Sequence, residues 1–230
     1  MSPAPIPARP LIVTIDGPAG AGKTTVSKSL ARKLGYRYID TGALYRGVAV
    51  AALEAGIAAD DDAALAALCQ GIALDLIPSG DGLRIMLNGT DITSAIRSPR
   101  ISMLASAVSA RPVVRAFLLS TQRALAAEKA VVAEGRDMGT VVFPEAEAKF
   151  FLDADSGIRA KRRYDELDMP KGGGPSLETV ESEMQRRDQN DSTRAVAPLQ
   201  PACDAVRIDS SRLSLEQVVD LMMRHIIQIP

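Results

Sequence analysis

The chain has 230 residues, which is enough for one globular domain or for one domain with a small insert. Hydrophobic residues make up 47% and charged residues 24% of it, and the formal net charge is −1, so no overall basic field predicts binding to nucleic acid or to a membrane surface. The two cysteines, Cys69 and Cys203, lie in unrelated segments and the only histidine is His225, which argues against a disulfide framework, a zinc site and a histidine-based catalytic triad.

The first ten residues, MSPAPIPARP, contain four prolines and lack the basic start and apolar core of a signal peptide. Their composition predicts a disordered lead-in over residues 1–10. No apolar stretch approaches the ~18–20 residues of a membrane span. We therefore expect a cytoplasmic protein with reduced thiols, whose catalysis uses carboxylates, lysine, arginine and backbone groups.

The stretch Leu11–Thr25, LIVTIDGPAGAGKTT, has the pattern of a short apolar strand, a glycine loop and the start of a helix. From Gly17 to Thr24 the residues follow the spacing G-x-x-x-x-G-K-[ST]. Glycines at these positions let backbone N–H groups converge on an anion, and the helix N-terminus adds partial positive charge. The pattern predicts a phosphate-binding loop, in which Lys23 reaches the β- and γ-phosphates of a nucleotide and the Thr24 hydroxyl holds Mg²⁺.

After this loop, predicted strands and helices alternate along the chain. The further strands expected in the main sheet are Tyr36–Ile39, Val131–Ala133, Lys149–Leu152 and Ala205–Ile208. The expected helices run from Asp40 to Ala55, Asp60 to Gln70, Ser98 onward, Pro112 to about Lys129, Ser156 onward, Ser176 to Asn190 and Ser214 to Ile227. The alternation predicts a three-layer α/β/α domain with a mostly parallel sheet. Ligands of such sheets lie beyond the carboxyl ends of the strands, where Asp16, Asp40 and Glu134 are expected.

Residues 71–96 interrupt this alternation. The segments Ile72–Ile77 and Leu83–Leu87 alternate in side-chain character, with a turn cluster between them and the tight turn Asn88-Gly89 after them. Strands joined by such short connections pair antiparallel. The segment therefore predicts a small antiparallel meander inserted into the parallel domain.

Two motifs at the expected sheet edge each leave two interpretations open. In DTGALYR, Asp40–Arg46, the arginine is either solvated on a capped surface helix or clamps a second phosphate. In EGRDMG, Glu134–Gly139, the residues form either a turn with an internal ion pair or a functional loop, in which Glu134 orients Mg²⁺-bound water.

A third group of charged residues lies late in the chain, on both sides of a flexible break around Gly172–Gly174. The arginines of this group are Arg159, Arg162, Arg163, Arg186, Arg187 and Arg194. The first three share one helical face, and interspersed acidic residues make a solvated face the default interpretation. The alternative is a mobile lid that closes positive charge over a transferring phosphoryl group and excludes water.

Five motifs span the chain from about Leu11 to Ile208. They are IDGPAGAGKTT (Ile15–Thr25), DTGALYR (Asp40–Arg46), EGRDMGTVVFPEA (Glu134–Ala146), FFLDADSGIRAKRR (Phe150–Arg163) and RDQNDSTRAVAPL (Arg187–Leu199). In combination they resemble the bacterial cytidylate kinases, a branch of the nucleoside-monophosphate kinases. The sequence departs from that family mainly in the lid, where Asp168–Pro175 contains a glycine run. Thr41 stands where some relatives have serine, and the hydroxyl is kept.

The resemblance implies a single P-loop kinase domain over residues 11–230. A monophosphate-binding region at 40–110 would include the antiparallel insert at 71–96, and a lid would lie at 156–194. The implied reaction transfers a phosphoryl group from ATP to CMP or dCMP with Mg²⁺. The resemblance also implies a monomer, and we expect no binding to nucleic acid or membrane.

The same resemblance assigns residues to this reaction by local motif match. The implied ATP-binding residues are Gly17, Pro18, Ala19, Gly20, Ala21, Gly22, Lys23, Thr24 and Thr25. The implied CMP-binding residues are Thr41, Tyr45, Arg46, Ser106, Arg115, Arg136, Asp137, Arg187, Asp191 and Arg194. Lys23, Arg136 and Arg187 are the implied catalytic residues, and Arg159, Arg162 and Arg163 the lid residues. Thr24 is expected to hold Mg²⁺ directly, and Asp16 and Glu134 through water.

Three alternatives remain at this stage. Another small-molecule P-loop kinase, such as one for shikimate, would leave the insert and the GRDMG loop unexplained. A nucleotide-hydrolysing switch would need a guanine-reading N-K-x-D element, which the sequence lacks. A scaffold with a decayed site conflicts with the presence of Lys23, Thr24, Arg46, Arg136 and Asp137.

Overall fold

A computed structural model describes Pro7 and residues 9–79, 82–167 and 174–230. The strands are β1 (Ile12–Asp16), β2 (Arg37–Asp40), β3 (Leu74–Ser79), β4 (Gly82–Leu87), β5 (Thr90–Asp91), β6 (Val131–Gly135), β7 (Ala148–Asp153) and β8 (Val206–Asp209). The α-helices are α1 (Lys23–Leu34), α2 (Thr41–Glu54), α3 (Asp62–Gly71), α4 (Pro99–Ser109), α5 (Pro112–Leu125), α6 (Ser156–Glu166), α7 (Leu177–Thr193) and α8 (Leu215–Ile226). A 3₁₀ turn covers Ala95–Arg97, and a π-helical turn covers Met138–Val142.

The main sheet is parallel throughout, in the order β2-β6-β1-β7-β8. Its central strand β1 is covered on both faces, which explains the continuous apolar run at the start of the chain. On one face, Val13 and Ile15 pack with residues of α1 and α8 such as Leu30 and Met222. Residues of β2 and β6 pack with the end of α5 in a separate cluster. The predicted α/β class with a parallel sheet is confirmed.

The strand register brings the predicted carboxylates to one edge of this sheet. Asp16 and Asp40 are the last residues of β1 and β2, and Asp40 lies opposite Glu134 of β6. Glu134 in turn lies opposite Ile15, one residue before Asp16. The carboxyl edge of the sheet therefore carries three carboxylates beside the glycine loop, as the sequence predicted.

The insert forms a separate antiparallel sheet in the order β3-β4-β5. It packs on α2, where Gly47 leaves room for it: a Cβ added there would lie 2.7 Å from Leu74 Cδ2 and 3.0 Å from Ile85 Cδ1. The tight turn at Asn88 and Gly89 has positive φ at both residues, 49° and 81°. The predicted antiparallel insert is confirmed.

Helix ends differ from the sequence predictions by two residues or more in three places. The helix predicted to end at Asn190 continues to Thr193. The helix that begins at Pro112 ends at Leu125 instead of about Lys129: the N–H groups of Ala126 and Ala127 bind carbonyl oxygens three residues back, and the chain then turns through positive φ before β6. The helix predicted from Asp60 starts at Asp62, and the Asp61 carboxylate accepts from the Ala64 N–H as its cap.

Two predicted segments fall largely outside the described residues, namely the disordered lead-in and the glycine run of the lid. Within the described part of the chain, no single helix has both the length and the apolar character to span a membrane. The pair α4 and α5 passes that test only jointly, with a bend of 99° between its members.

Candidate active site

A cleft of about 230 Å³ lies at the carboxyl edge of the sheet. Residues of the glycine loop line it, together with residues of α2, α4, α5, α7 and the loop after β6. The predicted site residues along its wall are Ala19, Gly20, Gly22, Lys23, Thr24, Thr25, Thr41, Tyr45, Arg46, Ser106, Arg115, Glu134, Arg136, Asp137, Arg163, Arg187, Asp191 and Arg194. The fold thus gathers both predicted halves of the site into one cavity.

The glycine loop depends on residues without a side chain. Gly17 and Gly20 have positive φ, 149° and 72°. A Cβ at Gly17 would lie 1.9 Å from the Leu152 carbonyl oxygen, and one at Gly20 would lie 2.7 Å from the carbonyl oxygen of Arg159 on α6. The loop is therefore packed tightly between β7 and the first lid helix.

Lys23 is buried at the first position of α1, with 8% of its surface exposed. Its Nζ donates to the Pro18 carbonyl oxygen at 2.6 Å, across the loop. Burial, aided by the nearby Arg136 guanidinium, lowers the pKa of Lys23 to about 7. An anion held by the loop would favour the charged form of this amine.

A buried carboxylate joins the loop to the second strand. Glu134 Oε1 accepts from the Thr24 hydroxyl at 2.8 Å and from the Tyr38 hydroxyl. The Glu134 carbonyl oxygen accepts from the Thr41 hydroxyl at 2.7 Å. Burial, reinforced by the nearby Asp40 carboxylate, raises the pKa of Glu134.

Asp16 is fully engaged within the protein. One carboxylate oxygen accepts from the Met138 N–H and the other from the Gly139 N–H, each at 2.8 Å. The side chain is 3% exposed, and burial raises its pKa to about 6. The expected water-mediated contact with Mg²⁺ remains a prediction for this residue.

Arg46 is the first arginine along the chain that lines the cleft. Its Nη2 donates to Asp40 Oδ2 at 2.7 Å, while Asp40 Oδ1 caps α2 by accepting from the Ala43 N–H at 3.1 Å. Because Arg46 also lines the cleft, the capped helix and the cleft-facing arginine coexist.

A second ion-pair network surrounds Asp137, which is 2% exposed. Arg115 Nη2 donates to Asp137 Oδ2, and Arg194 Nη2 lies 3.6 Å from Asp137 Oδ1. The Arg115 guanidinium also lies 5.6 Å from the centre of the Tyr45 ring. Two arginines thus face one carboxylate, and burial of the carboxylate raises its pKa.

A third network connects the loop after β6 to α7. Arg136 Nε donates to Asp191 Oδ2 at 2.9 Å, and the Ser106 hydroxyl lies 3.5 Å from Asp191 Oδ1. Arg187 lies nearby, and burial together with the charge of Arg136 lowers its pKa to about 10. Within the described part of the chain, Arg187 Nε and Arg194 Nη2 are buried donors without a hydrogen-bond partner. A buried donor without an acceptor costs about 1–3 kcal/mol. Both arginines line the cleft and add positive charge to its wall.

The three predicted lid arginines take different positions. Arg159 donates to the Ala154 carbonyl oxygen at 2.9 Å, to the Ala19 carbonyl oxygen at 3.1 Å and to the Asp188 carboxylate. Arg162 donates to both the hydroxyl and the carbonyl oxygen of Ser210, at 3.0 and 2.7 Å. Arg163 lines the cleft and pairs with Glu166 at 3.2 Å. Of these three arginines, Arg163 is the one that faces the cavity.

Sequence reasoning missed several residues that hold the site together. Tyr38 and Ser210 are examples, and so is Asp188, whose carboxylate also accepts from the Ala19 N–H at 3.4 Å. Tyr38 lies opposite Val132, two residues before Glu134 on β6, but the sequence does not show that these two strands are neighbours. No local pattern marks any of the three residues.

Comparison with known proteins identifies the family of this chain. The family model described as cytidylate kinase matches residues 13–228. A cytidylate kinase from Geobacter sulfurreducens is 54% identical over 93% of this chain and 91% of that protein. Another from Vibrio cholerae serotype O1 is 46% identical over 94% of this chain and 95% of that protein. The chain belongs to the cytidylate kinase family.

Membership in the cytidylate kinase family makes the chain a phosphotransferase with a nucleotide-binding P-loop fold. The resemblance inferred from the five motifs is confirmed. Among solved structures, an uncharacterized protein from Eubacterium ventriosum ATCC 27560 superposes with a TM-score of 0.52 at 13% identity, over 96% of this chain and 99% of that one. That likeness concerns the fold alone.

Proposed function

We propose that the protein transfers the γ-phosphoryl group of ATP to CMP and dCMP, giving ADP with CDP or dCDP. The curated relatives named as cytidylate kinases support the acceptor class. The single observation that carries the proposal is the pairing of a phosphate loop with a buried carboxylate–arginine pair, Asp137 and Arg115, in one cleft.

The acceptor phosphate is assigned to Thr41, Arg46 and Arg136. Arg46 and Arg136 both line the cleft, and each is partly engaged by a carboxylate. Arginine binds phosphate oxygens in a bidentate fork. Arg187, Asp191 and Arg194 also line the cleft and are assigned to phosphate or ribose.

The cytosine base is assigned to Ser106, Arg115 and Asp137, with Tyr45 lining the pocket. A carboxylate accepts from the amino group of cytosine, and a guanidinium donates to the ring acceptors. UMP carries a carbonyl where CMP has that amino group, so a buried Asp137 carboxylate disfavours it.

The chemistry requires no general base, because the attacking group is a phosphate oxygen that is already ionised. That oxygen attacks the γ-phosphorus, the bond to the β-γ bridging oxygen breaks, and ADP leaves with the electron pair. Lys23 and the cleft arginines position the two phosphates and stabilise the charge that spreads over the transferring group.

The residues present fit a requirement for Mg²⁺. Within the described residues, no three histidine, cysteine or carboxylate side chains converge closely enough to hold a metal ion alone. Mg²⁺ usually takes one or two protein ligands and completes its shell with phosphates and water. The Thr24 hydroxyl and the adjacent Glu134 carboxylate suit that arrangement. When bound with ATP, the ion would neutralise phosphate charge.

A coupled assay of ADP release tests this proposal across CMP, dCMP, UMP, AMP, GMP and shikimate as acceptors. We expect CMP and dCMP to give the highest kcat/KM. If shikimate or another nucleotide is a better acceptor than both, the assignment of the acceptor end is wrong.

A further inference from the structure

We propose that Asp16 is a positioning residue that holds Asp137 in its cytosine-reading orientation by capping the turn that follows it. The inference rests on the proposed function, because it concerns the acceptor end of the same cleft. It gives Asp16 a role separate from the water-mediated Mg²⁺ contact expected from its place at the end of β1.

The π-helical turn Met138–Val142 begins directly after Asp137. Its first N–H groups have no partner within the turn, as at any helix start. Asp16 supplies both acceptors from the neighbouring strand, with two contacts of 2.8 Å to Met138 and Gly139. Gly139 is also pressed against β1, since a Cβ there would lie 3.1 Å from Thr14 Oγ1.

Asp137 occupies the position before this turn where an aspartate normally caps its own helix. It makes no such contact here. Its carboxylate accepts from Arg115 instead and lines the cleft. Asp16 and Asp137 are therefore alternative acceptors for the Gly139 N–H, the second position of the turn, and Asp137 is free for the cleft because Asp16 occupies that donor.

Loss of the Asp16 carboxylate should let the Asp137 carboxylate rotate toward the Gly139 N–H and leave Arg115. The acceptor end would then lose its base-reading group, whereas the phosphate loop would keep its own contacts. The expected signature is a selective rise in KM for CMP.

The test compares Asp16→Asn, Asp137→Asn and the double variant with the wild-type enzyme. A matched control is Glu147→Gln at the opposite end of β1, where Glu147 Oε2 accepts from the Ile12 N–H at 2.9 Å. Steady-state kinetics give KM for CMP, KM for ATP and the half-saturating Mg²⁺ concentration, and thermal unfolding monitors the fold. Asp16→Glu keeps the charge and both acceptor oxygens, and it serves as the conservative variant.

For Asp16→Asn we expect KM for CMP to rise about tenfold or more, because displacements of ~1 Å can cost on the order of 10²-fold. KM for ATP should stay within about twofold of wild type, as should all three values for Glu147→Gln. In the Asp137→Asn background, the same change should add little. Asp16→Glu should bind CMP more tightly than Asp16→Asn does. If Asp16→Asn does not fold, Asp16→Glu should still show a raised KM for CMP with an unchanged KM for ATP.

Equal rises in both KM values, a raised Mg²⁺ requirement with unchanged KM for CMP, or additive effects in the double variant would overturn the inference. A wild-type enzyme that does not phosphorylate CMP would instead refute the proposed function, so the two failures are distinct.

Discussion

For Lys23, the sequence motif predicts the role of the residue, but the surrounding fold determines its burial and its pKa. The motif predicted a lysine that reaches phosphates, and the structure places its ammonium in the cleft wall. Its lowered pKa comes from burial and from the nearby Arg136, which lies outside the motif in the sequence.

Replacing Lys23 by alanine should lower kcat by about 10²–10³-fold, because a preorganised charge beside the transferred phosphoryl group is lost. Steady-state turnover measures this. Lys33→Ala on the same helix is the matched control, since Lys33 is exposed and pairs with Asp220 at 2.8 Å. Near-normal turnover of Lys23→Ala would contradict the role given to Lys23.

The roles of Asp40 and Arg46 could not be decided from the sequence alone. The sequence left open whether the helix cap or the phosphate clamp was correct. The two carboxylate oxygens of Asp40 serve different partners, so the cap and the cleft-facing arginine are both present. Only the three-dimensional path of the chain at the start of α2 decides this, and it cannot be derived from spacing.

At the scale of elements, apolar runs and capping signals predicted most strands and helices. Ser98 with Pro99 begins α4, and Ser214 with Gln217 forms the predicted capping box of α8. The strand order β2-β6-β1-β7-β8 was not predicted, because partner choice among parallel strands depends on packing between distant segments. The predicted end of α5 at about Lys129 was wrong, because nothing in the sequence marks the turns that lead from Leu125 to the positive φ at Lys129 and Ala130.

Contact between the glycine loop and the lid helices gives a prediction for Gly20. Gly20→Ala should abolish most activity, because its Cβ would lie 2.7 Å from the Arg159 carbonyl oxygen and 2.8 Å from Met184 Cε. Gly56→Ala is the control: Gly56 also has positive φ, 67°, but a Cβ there meets no atom within 4 Å. That control should cost about 1 kcal/mol of unfolding free energy and leave kcat/KM intact. If Gly20→Ala and Gly56→Ala lost equal activity, the contact of the glycine loop with Arg159 and Met184 would not explain the effect, and backbone strain alone would.

The lid helix α6 gives a second prediction, from two adjacent arginines. Arg163→Ala should lower kcat by about tenfold or more, because Arg163 faces the cleft. Arg162→Ala should act mainly on thermal stability, because the Arg162 guanidinium is bound to Ser210. Parallel measurements of kcat and melting temperature separate the two effects. A larger loss of kcat for Arg162→Ala would mean that the lid reorganises before phosphoryl transfer.

At the scale of the whole molecule, the sequence predicted the edge of the sheet at which the site forms. The alternation of strands and helices sufficed for that, because ligands of parallel sheets lie beyond the carboxyl ends of the strands. It could not predict the pairing of Arg136 with Asp191 or of Arg115 with Asp137, since these join segments 55 and 22 residues apart. The cleft as a whole brings the glycine loop together with arginines from distant segments, of which Arg115 and Arg194 are buried.

The most direct test of this account is the ratio of kcat/KM for CMP to kcat/KM for UMP, measured for the wild type and for Asp137→Asn. We predict a wild-type ratio of at least about 10², because a buried carboxylate cannot pair with the carbonyl of uracil. We predict at least a tenfold smaller ratio, by the same argument, for Asp137→Asn, whose amide can donate to that carbonyl. Equal efficiency with CMP and UMP in the wild type, or an unchanged ratio in the variant, would contradict the assignment of this cleft to cytidylate phosphorylation.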